Sequence, residues 1–196
     1  MIKFVPARRT QAKLRLALTG PSGSGKTYSA LLVARGLVGP EGKIAVIDTE
    51  RGSASLYAHL TPFYTCELTP PFTPDKYTQA IRAAEEAGYD AIVIDSLSHA
   101  WAGPGGILDL HDRVAAKEKN AFAAWRHVTP KHNELVDAML QSRCHVIATM
   151  RSKQEYAQVQ DGGRTKIQKV GLAPIQRDGI EYEFTLVLDL DANHMA

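Results

Sequence analysis

The sequence predicts an α/β fold with a mostly parallel central sheet flanked by helices. Three observations predict it. The stretch Gly20-Pro21-Ser22-Gly23-Ser24-Gly25-Lys26-Thr27 fits the spacing G-x-x-x-x-G-K-[ST] of a phosphate-binding P-loop. It lies between a strand-like run, residues 14–19, and a helix-like run, residues 28–37, which is the context such a loop needs. Two further apolar runs, 43–50 and 89–96, carry acids at their ends, and functional groups gather at the carboxyl edge of a parallel sheet.

Composition narrows the class. The chain has 196 residues, 44% hydrophobic and 22% charged, enough for one α/β domain with a sizeable core. We expect a basic lead-in over residues 1–12 and a single domain over 13–196. No apolar run approaches the ~18 residues of a membrane span. Residues 1–9 hold no signal-peptide apolar core, so a cytoplasmic protein without membrane contact is expected. Cys66 and Cys144 lie far apart without metal-ligand spacing, and both are expected to be buried free thiols. The net charge of +2 is unevenly spread: residues 111–177 hold twelve Lys/Arg against six Asp/Glu. Such asymmetry predicts a side that faces a polyanion, nucleic acid first.

The elements follow in order. In the P-loop, glycines let successive backbone N–H groups turn inward on one anion, and the helix N-terminus adds its partial positive charge. Lys26 reaches toward the β- and γ-phosphates, the Thr27 hydroxyl ligates Mg²⁺, and Tyr28 opens the helix beside them. After a turn at 39–42, the run 43–50 reads as a buried strand ending in Asp48 and Glu50. Glu50 is placed to orient an attacking water or accept its proton, with Asp48 as second candidate. A short helix at 52–58, a short strand within 61–68 and a stiff proline connector at 69–74 come next. Residues 75–87 have helical spacing, with Tyr77, Ile81 and Ala84 on one face.

The run 89–96 has the Walker B pattern, an apolar strand closing on Asp95, which holds Mg²⁺ through water. Asp95 must lie next to Thr27, which adjacent parallel strands would provide; Ser96 is a further hydrogen-bonding candidate there. Residues 98–106 read as a mobile loop at the edge of the site, with Trp101 available to stack on a base. A helical stretch carrying Arg113, Lys117, Lys119 and Arg126 follows. Thr129-Pro130 reads as an N-cap and first helical position of a helix running to about residue 142. Residues 144–150 are the next buried strand. The polar stretch 151–169 carries Arg151, Lys153, Arg164, Lys166 and Lys169; its alternation permits a hairpin around Asp161-Gly162-Gly163, or order only on binding a ligand. Residues 170–179 are turn-rich and 180–189 read as the last strand.

With the P-loop, Ile47-Asp48-Thr49-Glu50 and Val93-Ile94-Asp95-Ser96 in hand, the chain resembles a P-loop NTPase with a RecA-like core. More closely, it is similar to phage-encoded minimal RecA-core proteins of the AAA-family, single-strand annealing or recombinase type. The resemblance covers about residues 12–190 and includes Asp95–Trp101, Ala124-Trp125-Arg126 and His145–Lys153. It implies ATP and Mg²⁺ as ligands, Glu50 and Lys26 as catalytic residues, and Thr149 as a polar sensor of the γ-phosphate. It implies two DNA-binding loops at 98–110 and 151–168, so Trp101, Arg113, Lys117, Lys119, Arg126, Arg151, Lys153 and Arg164 become candidate contacts to single-stranded DNA. It also implies a homo-oligomer, ring or filament, with ATP at subunit interfaces; Lys166, Lys169 and Arg177 are then candidates to reach across. A single-strand binding protein is a further candidate partner, and a bacterial host cytoplasm is the implied location. RecA's additional helical and C-terminal domains have no counterpart in these residues, which favours annealing over duplex strand exchange. The alternatives are another ATP motor (a helicase, helicase loader or packaging ATPase), a small-molecule kinase, or a nucleotide-gated binding module.

Overall fold

The computed structural model describes residues 6, 12–118, 120–161 and 164–196, and for 156–170 the backbone alone. The order is β1 (Arg15–Gly20), α1 (Lys26–Val38), β2 (Ile44–Asp48), a 3₁₀ turn (Ser53–Tyr57), β3 (Tyr64–Glu67), α2 (Pro74–Glu86) and β4 (Ala91–Asp95). Then come α3 (Ser98–Ala102), α4 (Ile107–Ala115), α5 (Ala121–Leu140), β5 (His145–Asp161), β6 (Arg164–Pro174), a second 3₁₀ turn (Ile180–Glu183) and β7 (Leu186–Asp189). The sheet runs β3-β2-β4-β5-β1-β7, every neighbouring pair parallel, and β6 pairs antiparallel with β5. The fold is the α/β architecture expected, a mostly parallel seven-strand sheet between helices.

Burial on both faces explains the continuous apolar runs. Leu16, Leu18, Val46, Val93 and Ile147 point to the side covered by Ala30, Leu31 and Ala34 of α1. Ala17, Ile47, Ile92, Ile94, Val146 and Ala148 point to the side covered by Tyr77 and Ile81 of α2 and by Leu135 and Met139 of α5. The period-2 alternation of the strands thus divides one sheet between two cores.

Arg15, the first residue of β1, spends its charge on the fold. Its buried guanidinium donates to the Cys144 carbonyl at 2.8 Å, to the Leu140 carbonyl and to the Ser142 carbonyl. It thereby caps the C-terminal end of α5 and ties it to β1.

Several expectations need correction. The P-loop strand and the Walker B strand are not adjacent: β5 lies between β1 and β4. Val146, Ile147, Ala148 and Met150 are fully buried there, so β5 suits that central place as well as β4 would. Residues 98–106 are α3 and a packed turn rather than a mobile loop, with Ser98, Ala100 and Ile107 buried. The long helix begins at Ala121, capped by the Asn120 side chain, which accepts from the Phe122 N–H at 2.9 Å; Pro130 lies inside it. β6 extends to Pro174, and residues 180–183 are a 3₁₀ turn, leaving only Leu186–Asp189 as the last strand. Cys144 is buried as expected, but Cys66 lies exposed on the edge strand β3. The hairpin reading of 151–169 holds in the backbone, with Asp161 opposite Arg164.

Candidate active site

The carboxyl ends of β1, β2, β4 and β5 meet at one cleft of about 880 Å³, lined by the P-loop, Glu50, Asp95 and Arg151. Sequence makes the loop. Gly20 has φ +152°, and a Cβ there would come within 2.5 Å of the Leu190 carbonyl and 2.6 Å of Ser24 Oγ. Gly25 has φ +90°, so the residue before α1 takes the left-handed conformation that lets the loop turn into the helix. Ser24 Oγ is buried and has no hydrogen-bond partner among the described residues, an orphaned donor inside the loop.

Around it the side chains form a connected set. Thr27 Oγ1 donates to Asp95 Oδ2 at 2.6 Å, and Thr149 Oγ1 donates to Asp95 Oδ1 at 2.6 Å. Asp95 is therefore beside Thr27 despite the intervening strand, and Thr149, on that strand, supplies the third member. Burial pushes the Asp95 carboxyl up from its usual range, against the two threonine hydrogen bonds, with Glu50 and Asp48 adding to the rise. Lys26 Nζ donates to the Pro21 carbonyl at 2.6 Å, which keeps the ammonium within the loop. Burial lowers the Lys26 pKa, Asp95 and Glu50 oppose this, and Arg151 adds to it. A loop of inward-turned backbone, an orphaned hydroxyl, a loop-held ammonium and a Thr–Asp pair fit a nucleotide phosphate chain with Mg²⁺. Thr27 and Asp95 are the residues that would hold the metal.

Asp48 is not a second base. Its Oδ1 accepts from the Glu50 N–H at 2.6 Å and its Oδ2 from the Ala54 N–H at 3.1 Å, so both oxygens fasten the turn that presents Glu50. Thr49 Oγ1 accepts from the Ser96 N–H at 2.8 Å and lies 2.7 Å from His99 Nδ1, stitching β2 to the start of α3. Burial holds the His99 pKa low. Ser96 Oγ is buried and has no hydrogen-bond partner among the described residues.

The candidate DNA contacts fare differently. Trp101 stacks on Trp125, with ring centroids 5.9 Å apart, and meets His132 edge-on, so one indole face is already occupied. Arg113 is exposed but pairs with Asp109 at 2.9 Å. Lys117, Arg126 and Lys153 are exposed. Arg151 does not project free: its Nε donates to Glu50 Oε1 at 2.8 Å and its Nη2 to Glu50 Oε2. Lys119 and the side chains of Arg164, Lys166 and Lys169 lie outside the described residues. Arg177 lines a separate cleft with His132, Asp137 and Glu183.

Sequence reasoning missed several cleft residues. Tyr57, Leu56, Ile175 and His194 line it, and Tyr28 meets Tyr57 edge-on at 6.1 Å. Nothing in a motif marks them; the return of β7 beside β1 carries the chain back so that His194 Nδ1 lies 3.5 Å from where a Cβ on Gly25 would be. The Glu50–Arg151 pair was hidden for a similar reason, since its two residues are 101 positions apart.

A protein-family model described as an AAA domain matches residues 12–195, so the chain belongs to that family. No curated protein matches the chain.

Proposed function

From a chain that belongs to the AAA domain family and carries a P-loop ATPase core, we propose an ATP-hydrolysing protein that binds single-stranded DNA as a homo-oligomer and promotes annealing or recombination. The observation that carries the ATPase part is the Thr27–Asp95–Thr149 chain facing the P-loop, with Glu50 on the wall of the same cleft. In this reading the loop amides and Lys26 bind and orient the phosphates, and Tyr28 sits beside the nucleotide. Mg²⁺, held at Thr27 and Asp95, supplies neutralising charge to the phosphate oxygens. Glu50 orients the water and accepts its proton. Thr149 links the state of Asp95 to β5, which runs on into the hairpin.

Supporting the DNA part are the exposed Lys117, Arg126 and Lys153 and the excess of basic residues over 111–177. Lys166, Lys169 and Arg177 remain the candidates to reach a neighbouring subunit's site. Location in a bacterial host cytoplasm and phage origin belong to the same proposal.

The test is ATP turnover with and without single-stranded DNA, alongside Glu50→Gln. We expect stimulation by DNA, binding that weakens steeply with salt, and a variant that still binds ATP while turnover falls at least ~100-fold. Turnover that ignores every nucleic acid would point instead to another ATP motor acting on a protein partner. Unchanged turnover in the Glu50 variant would remove Glu50 from the mechanism.

A further inference from the structure

Arg151 is the feature of this cleft that the proposed mechanism leaves unused. In the β1–β5 register it stands opposite Gly20, the first residue of the P-loop. Its backbone is held on both sides: its N–H donates to Ser98 Oγ at 2.9 Å, and its carbonyl accepts from the Ile175 N–H at 2.6 Å. The side chain is thereby aimed into the cleft that Lys26, Thr27 and Asp95 also line. There it takes Glu50 in a two-point grip, using both carboxylate oxygens. With both oxygens so engaged, the carboxylate is turned away from any water it would activate.

The grip is exchangeable. The Arg151 side chain is 46% exposed and that of Glu50 20%, so water screens the pair and its net worth is small. The planar fork of a guanidinium fits a phosphate as well as a carboxylate. The cleft already collects phosphate-binding groups around that fork. Arg151 and Glu50 line the same cleft as Lys26, Thr27 and the P-loop residues Gly23 and Gly25.

We propose that Arg151 is a terminal-phosphate ligand supplied by the same subunit, which exchanges Glu50 for the γ-phosphate of a bound nucleoside triphosphate and so releases Glu50 only when a triphosphate is present. This rests on the reading of Gly20–Thr27 as the nucleotide site. Arg151 is then a binding residue toward the nucleotide and a positioning residue toward Glu50. A diphosphate leaves Arg151 on Glu50, so the glutamate is held out of use whenever there is nothing to hydrolyse. The cleft therefore holds a cation of its own besides Lys26, before any neighbouring subunit contributes one.

The test is equilibrium binding, independent of turnover, of a non-hydrolysable ATP analogue and of ADP, both with Mg²⁺, to the full chain. Arg151→Ala is expected to lose roughly 10- to 100-fold in affinity for the triphosphate analogue and no more than about 3-fold for ADP. Arg151→Lys, which keeps charge without the fork, should fall between. Glu50→Gln loosens the grip and should raise triphosphate affinity about 2- to 5-fold; with Arg151→Ala added, that gain should vanish. Circular dichroism and melting temperature report whether each variant is folded. Equal loss for both nucleotides, or no loss for either, overturns the proposal while leaving the nucleotide site intact. An unsubstituted protein that binds neither nucleotide overturns the site and this proposal together.

Discussion

Asp95 shows how one residue can cost stability and carry function. It is 3% exposed and lies near Glu50 and Asp48, and among the described residues two threonine hydroxyls donate to its carboxylate oxygens. Its pKa in the fold is raised above the unfolded value, so the cost of its charge is absent at low pH and fully present once the pH exceeds the raised value. Asp95→Asn keeps the shape, and both hydroxyls can turn to meet the amide. We expect this variant to gain about 1 kcal/mol, seen as a melting temperature about 2–4 °C higher, and to lose at least ~10-fold in Mg²⁺-dependent nucleotide affinity. A lower melting temperature would mean that the two threonine hydrogen bonds outweigh burial. Such residues were legible in the sequence because their chemistry fixes their type and place: Lys26, Thr27 and Asp95 fit a spacing. Asp48 and Arg151 were legible as charges, but the partners they hold in the fold, two backbone N–H groups and Glu50, were not. Whether an acid caps a turn or faces a cleft depends on backbone N–H groups six residues away, and no pattern records that.

At the scale of elements, α5 carries the clearest conflict between local and global signals. Thr129-Pro130 is a good helix start, and proline inside a helix costs about 3 kcal/mol in isolation. Yet Ala124, Val128, His132, Leu135, Val136 and Met139 are buried at helical spacing straight through Pro130. That periodicity was present in the sequence and should have outweighed the local start signal. The proline is tolerated because its ring lies on the exposed face, while the buried stripe packs against α2 and the sheet. The missing amide leaves the Arg126 carbonyl without its helical donor. Pro130→Ala should therefore raise stability by about 1–2 kcal/mol, read as a higher urea midpoint at unchanged slope. A lower midpoint would show that Pro130 bends the helix to seat Trp125 on Trp101 and that straightening it breaks this stack. Strand order was the element-level feature the sequence could not carry. Buried parallel strands look alike, and β4 and β5 are equally apolar, so only the crossovers decide which lies beside β1.

At the scale of the whole molecule, β5 does two jobs along one strand. Residues 145–150 form the middle of the sheet, between β4 and β1, with both cores resting on them. Beyond Arg151 the same strand leaves the parallel sheet and pairs only with β6. The junction holds Thr149, bonded to Asp95, and Arg151, bonded to Glu50. A force on the hairpin is thus applied, through continuous backbone, to the two side chains that hold the proposed metal ligand and the proposed base. Among the residues whose side chains are described, the cores on either face of the sheet draw nothing from 152–155 or 171–174. Lys153 and Ala173 face each other in register, so residues 154–172 can be replaced by an Asn-Gly turn that closes the ladder at that rung. The shortened protein should melt within about 5 °C of the parent and bind nucleotide within about 3-fold, because the P-loop, Asp95 and Arg151 are retained. It should lose single-stranded DNA binding and with it the steep salt dependence, since Arg164, Lys166 and Lys169 go with the hairpin. DNA binding that survives the shortening would move the contact to Lys117 and Arg126 on the α4–α5 side. A collapse in melting temperature would show that the hairpin belongs to the fold rather than to a separable arm driven from β5.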